Sequence, residues 1–238
     1  MNEQIILGTW SEDKVDRILR ETSELSDPCN KIAIISKEFL HTPYNESTLI
    51  GDADTSEVFV INLEQVDCFT YLDYVEAMRL STSFTEFKEN LASVRYQNGE
   101  VHYAKRNHFF TDWSTYNANL VKDVTADTGK SASVGVVKQI NDRGDGTYYL
   151  PGVHCNERVI NYIPTEFVDG AKLQTGDYIG IYSERKGLDV SHVGIFLRDG
   201  TTCSLRHASS RHMKVVDEDF REYIKDKPGI LIFRTELS

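Results

Sequence analysis

Apolar residues recur at helical spacing through the first part of the chain and at strand spacing, punctuated by turn residues, through the rest. Val15, Ile18, Leu19, Thr22 and Leu25 fall on one helical face, with Ser11 as cap and Glu12 and Asp13 in an acidic first turn. Asp27-Pro28 reads as the stop of that helix. Residues 30–40 predict a second helix carrying Ile32, Ile35, Phe39 and Leu40. The β-branched run 58–63 predicts a buried strand. Beyond it Cys68, Tyr71, Leu72, Val75 and Met78 return to helical spacing, so a helix begins near Cys68 with Asp67 as its N-cap. Phe84, Phe87 and Leu91 extend the helical pattern, and residues 94–96 and 101–103 predict a hairpin about Asn98-Gly99.

Residues 121–165 are rich in Gly, Asp, Asn and Pro, with apolar runs at 134–137 and 159–163 that predict hairpins. Residues 178–182, 191–197 and 202–208 predict an antiparallel meander, which 214–216 extends. Phe220, Tyr223 and Ile224 predict a short helix ended by Pro228-Gly229, and 230–233 a last buried strand. Helices come first and antiparallel strands later, so the class is α+β. Nothing in the 238 residues requires more than one domain. Residues 1–45 supply the N-terminal helices and 92–165 a β/loop insertion.

Two stretches carry candidate chemistry. A thiol at a helix N-terminus faces the positive end of the macrodipole, which favours thiolate, although a lone cysteine also fits a small buried hydrophobe. Asp199-Gly200 between two strand-like runs predicts a two-residue hairpin loop, which makes His192 and His207 cross-strand neighbours. Gly194, Phe196, Cys203 and Leu205 share their face and make it apolar enough to pack on the Cys68 helix. A cysteine nucleophile needs a base, and the base a third group that fixes its tautomer.

The Asp-Cys at a helix start, then Leu173-Gln174-Thr175-Gly176-Asp177, then residues 191–197 (Ser-His-Val-Gly-Ile-Phe-Leu) and 206–210 (Arg-His-Ala-Ser-Ser), resembles the NlpC-type papain-like cell-wall hydrolases of bacteria. Residues 39–44, 95–99, 106–113 and 161–164 resemble its N-acetylmuramoyl-L-alanine amidase-like branch. The resemblance implies a papain-like core in which N-terminal helices pack on an antiparallel sheet, with the insertion lying between nucleophile and base. It makes Cys68 the nucleophile, His192 the general base and His207 the orienting residue. The implied reaction is hydrolysis, through a thioester, of the amide joining N-acetylmuramic acid to L-alanine in peptidoglycan fragments. Alternatives are a γ-D-glutamyl-diamino acid endopeptidase and a non-catalytic muropeptide-binding module. Backbone N–H groups at the start of the Cys68 helix are the expected oxyanion donors.

Candidate substrate contacts are Tyr44 in a Pro-containing loop, Asp67, Ser191 beside the base, and the cluster Arg106, His108, Asp112 and Trp113. That cluster offers cation, imidazole, carboxylate and indole to a ligand with amides and a sugar ring. It also fits an Arg–Asp pair beside a core tryptophan.

A net charge of −11 argues against nucleic acid and anionic membrane as partners. No apolar run reaches the length of about 20 residues needed for a membrane span. The four cysteines lack C-x-x-C spacing and no H-E-x-x-H occurs, so neither a metal nor another cofactor is expected. Cysteines other than Cys68 read as buried thiols. Met1-Asn2-Glu3-Gln4 lacks the features of a signal peptide. The resemblance implies action in the envelope, periplasm or outside the cell after removal of a leader; without one, the expectation is cytoplasmic. Oligomeric state is not legible.

Overall fold

The computed structural model describes residues 2–235. In chain order its elements are β1 (Glu3–Ile6), α1 (Glu12–Ser23), α2 (Pro28–Lys37), β2 (Phe59–Asn62), α3 (Cys68–Arg79), α4 (Phe84–Arg95), α5 (Phe110–Tyr116), β3 (Val121–Asp123), α6 (Thr125–Gly129), β4 (Val134–Ile140), β5 (Asn156–Pro164), β6 (Tyr178–Tyr182), β7 (Val190–Asp199), β8 (Thr202–Ser209), β9 (Lys214–Asp219), α7 (Phe220–Ile224) and β10 (Gly229–Thr235). The class is α+β, as expected. Two compact units divide the described chain: 2–106 with 206–217, and 107–205 with 218–235. No helix among the described residues is long and apolar enough to cross a membrane.

The first unit is built around α3. Asp67 accepts from the Phe69 and Thr70 amides at 2.7 Å each, and the Thr70 hydroxyl accepts from the Asp67 N–H at 3.0 Å. This reciprocal cap stabilises the helix start by about 1 kcal/mol. Tyr71, Leu72, Tyr74, Val75 and Met78 are buried all round the helix. Phe39 meets Trp10, Tyr71 and Tyr74 with ring centroids 4.9, 5.6 and 6.3 Å away. Such burial forces the polar residues of α3 to find partners. Asp73 takes Arg95 at 2.8 Å, and Glu76 takes Arg79 at 2.7 Å. Arg95 also donates to the Val60 carbonyl at 2.6 Å, which ties α4, α3 and β2 together. β1 runs parallel to β2, pairing Ile5 with Ile61.

Two sequence expectations change here. The hairpin at 94–103 is absent: α4 continues to Arg95, and 97–99 and 103–105 are 3-10 turns. Phe84, Phe87, Leu91 and Val94 form one buried helical stripe, which outweighs the β-branched character of the short run 94–96. Asn98 and Gly99 do take positive φ, 57° and 70°. Asp27-Pro28, read as a stop, instead starts α2. Its carboxylate accepts from the Cys29 N–H at 2.9 Å, and proline occupies the first turn, where its missing N–H costs nothing.

In the second unit the sheet order is β4-β5-β10-β6-β7-β8, with β3 also on β10. β10 is antiparallel to β3, β5 and β6, as β4 is to β5 and β7 to β6. One apolar cluster holds Ile179, Ile181, Phe196, Leu205, Ile230 and Ile232, with Cys203 packed against it. Within this unit its cover is Val168, Leu173, Phe220 and Ile224. A second, aromatic cluster stacks Phe110 on Phe233 at 4.1 Å. Gly180 is required beneath it, because a Cβ there would lie 2.6 Å from the Phe110 ring. β7 ends at Asp199 and β8 starts at Thr202, so the loop is Gly200-Thr201, one residue later than expected.

None of the four cysteines is in a disulfide, and Cys155 is exposed where a buried thiol was expected.

Candidate active site

Cys68 is half-buried at the first position of α3, directly after its capping Asp67. The loop in front of it is laid down as a strap. On one edge the His41 N–H donates to Val215 O at 2.9 Å and the Tyr44 N–H to Met213 O at 3.0 Å. On the other edge the Val66 N–H donates to Pro43 O and the Asn45 N–H to Val66 O, both at 3.0 Å. Those bonds hold Tyr44 beside the nucleophile candidate. Burial, and then the negative charges of Cys68, Asp67 and Glu46, push the Tyr44 phenol up to about 12. It therefore stays a hydrogen-bond donor at neutral pH. Burial also pushes the Asp67 carboxyl up, against hydrogen bonds from Thr70 and Phe69 and the charge of Arg95.

One consequence is spectroscopic. The phenolate absorbance of wild type minus Tyr44→Phe should isolate a phenol that ionises near pH 12 rather than at its ordinary 10.0. A component lost near pH 10 would contradict the placement of that ring.

Asp67 takes the amides of Phe69 and Thr70, so two of the expected first-turn oxyanion donors are engaged by the cap. His207 is buried on the part of β8 that belongs to the same unit as Cys68. Its neighbour Arg206 forks onto Asp217 at 2.7 and 2.8 Å and donates to Ala33 O and Ser36 Oγ at 3.1 Å each. The Tyr71 hydroxyl donates to Ser36 O at 3.4 Å. β8 is thereby anchored to α2 and, through Tyr71, to α3.

In the second unit His192 is half-buried and has Ile181 as its strand partner, whereas Val190 already faces Tyr182. Ser191 is therefore the extra residue of a β-bulge, a device that re-aims neighbouring side chains. It is exposed, and its hydroxyl donates to Ile181 O at 3.4 Å. The loop leading into this strand is held from two sides. Lys138 donates to the carbonyls of Ser183, Arg185 and Leu188. Asp189 is buried and accepts from the Thr111 N–H at 2.7 Å and hydroxyl at 2.9 Å. Burial raises the Asp189 pKa and lowers that of Lys138.

The cluster at 106–113 does not present four groups to a ligand. Arg106 forks onto Glu57, which also accepts from the Tyr96 hydroxyl at 2.7 Å. Asp112 is buried and accepts from Arg158 at 2.7 Å. Trp113 is fully buried, stacked on Phe110 and edge-on to Tyr178, so its faces are core rather than a sugar platform. His108 is half-buried. The partners Glu57, Arg158, Asp189 and Asp217 carried no local sequence signal, since each lies far along the chain or on the far side of a turn from its cation or hydroxyl. Among the described residues no group of three or more His, Cys, Asp or Glu side chains is placed to hold a metal.

The family model AmiA-like, described as N-acetylmuramoyl-L-alanine amidase-like, matches residues 34–230. A crystal structure of an N-acetylmuramoyl-L-alanine amidase from Bacteroides uniformis ATCC 8492 is 28% identical, with a TM-score of 0.74 over 88% of this chain and 99% of that one. A Legionella pneumophila str. Philadelphia 1 protein of the DUF1460 family is 23% identical, with a TM-score of 0.79 over 94% of each chain, and supports the fold alone. No curated protein matches the chain.

Proposed function

The chain belongs to the AmiA-like, N-acetylmuramoyl-L-alanine amidase-like family, and from that membership we propose that it is a cysteine amidase of the papain-like, NlpC-type kind. Its substrate is a muropeptide, and the bond cut joins the lactyl carbonyl of N-acetylmuramic acid to the nitrogen of L-alanine. The observation that carries this reading is Cys68 at the start of a capped, buried helix, with the protonated Tyr44 phenol beside it. A structural neighbour bears the name of this amidase at 28% identity.

Cys68 Sγ attacks the lactyl carbonyl while its proton passes to His192, whose tautomer His207 fixes. The oxygen that gains charge is met by the Cys68 amide and the Tyr44 hydroxyl. His192 returns the proton to the alanine nitrogen as the C–N bond breaks, which frees the peptide and leaves a thioester on Cys68. Water then attacks with His192 as base, releasing the muramic acid carboxylate and the thiol. Ser191 and His108 are substrate contacts in this reading, and the cell envelope is the place of action.

The test is product identity. Defined muropeptides incubated with the protein should yield free N-acetylmuramic acid and intact peptide by mass. Cleavage after D-glutamate would replace the amidase with an endopeptidase, and binding without turnover would make the chain a recognition module.

A further inference from the structure

α7 is a single turn whose core residues Phe220 and Ile224 are buried in the cluster beneath β7. Phe220 meets Phe196 edge-on at 5.0 Å, and the ring of Tyr223, on the same turn, lies 6.1 Å from that of His192 at an angle of 42°. Phe196 and His192 share a face of β7 by strand alternation. One short helix therefore grips that strand at a core residue and again at the imidazole.

The turn itself is held in place. Asp219 accepts from the Glu222 N–H at 2.9 Å, and the Thr165 hydroxyl contacts the carbonyls of Ile224 at 3.3 Å and Lys227 at 2.6 Å. Across the sheet Ile181, a core member, is the strand partner of His192. The imidazole thus has a fixed strand neighbour, a bulge immediately before it, and an aromatic wall.

We propose that Tyr223 is a positioning residue for His192, its ring fixing the tilt of the imidazole. This rests on the reading of His192 as general base. Aromatic pairs at this separation attract through ring faces and edges, so the effect is carried by the ring. Loss of the wall lets the base leave its productive angle, which lowers kcat and leaves KM unchanged, because Tyr223 acts through His192 rather than on substrate.

In the full chain, Tyr223→Phe should retain kcat to within about twofold, whereas Tyr223→Leu should lose about tenfold to a hundredfold in kcat at unchanged KM and unfolding temperature. Equal activity in both variants and wild type overturns the proposal, as does a Tyr223→Phe variant as impaired as Tyr223→Leu. Should the leucine variant fail to fold, the His192 Cε1–H resonance decides, identified by its loss in His192→Gln. A ring-current displacement in both wild type and Tyr223→Phe supports the proposal, and none in either overturns it. The resonance needs no turnover, so a wild type that cleaves no muropeptide defeats the amidase reading alone.

Discussion

Replacing Cys68 with alanine is expected to lower kcat/KM on a muramoyl-peptide by about 10⁴-fold or more, a loss comparable to removing a nucleophile elsewhere. What remains is binding and the oxyanion donors, which act on a carbonyl that nothing attacks. The variant should keep its fold, because the Asp67 cap bonds run to the Phe69 and Thr70 amides and none involves Sγ. Substrate affinity should survive for the same reason. The measurement is peptide release by mass, beside the unfolding temperature of each protein. An alanine variant within about tenfold of wild type would remove the sulfur from the mechanism.

The largest stability effect is expected at Asp73. Arg95 is fully buried, donates to the Val60 carbonyl, and lies over the Tyr74 ring with its Cζ 5.2 Å from the centroid. Asp73→Ala removes the carboxylate facing this guanidinium and should cost about 3–5 kcal/mol, because a buried cation loses its counter-charge. Total stability of a domain is only about 5–15 kcal/mol, so the loss is a large part of it. Replacing both partners, Asp73→Leu with Arg95→Met, should recover most of the loss, since apolar groups of similar volume need no counter-charge. Urea unfolding checks this. A cost under about 1 kcal/mol for Asp73→Ala would show that the pair is not what holds α3 against α4.

The sequence was most informative where the signal is local. The polar cap and apolar spacing after Asp67 located the start of α3, and the run 178–182 located β6. Short pieces failed when a neighbouring period overrode them, as at 94–96, where the stripe from Phe84 to Val94 keeps the chain helical. β1 was not read at all, because its four residues are mostly exposed and it exists by pairing with β2. Distant partners were the other blind spot. Arg106 and Asp112 looked like one ligand-facing cluster, yet each is spent on a residue almost fifty positions away, Glu57 and Arg158. Trp113 looked like a platform because exposure cannot be read from one indole. Its burial depends on Phe110 and on Tyr178, far later in the chain. Tyr223 registered only as an apolar helical position, since nothing nearby in the sequence points from it to His192.

The claim beneath the whole account is that the amide is opened by sulfur and passes through a thioester. Turnover of a muramoyl-peptide in the presence of hydroxylamine tests it directly, because the amine intercepts an acyl-enzyme in competition with water. The expected product is the hydroxamate of the muramic acid lactyl group, rising with hydroxylamine in wild type and missing with Cys68→Ala. Cleavage that releases only the free carboxylate at every hydroxylamine concentration would mean that water attacks the amide itself, with no bond to Cys68.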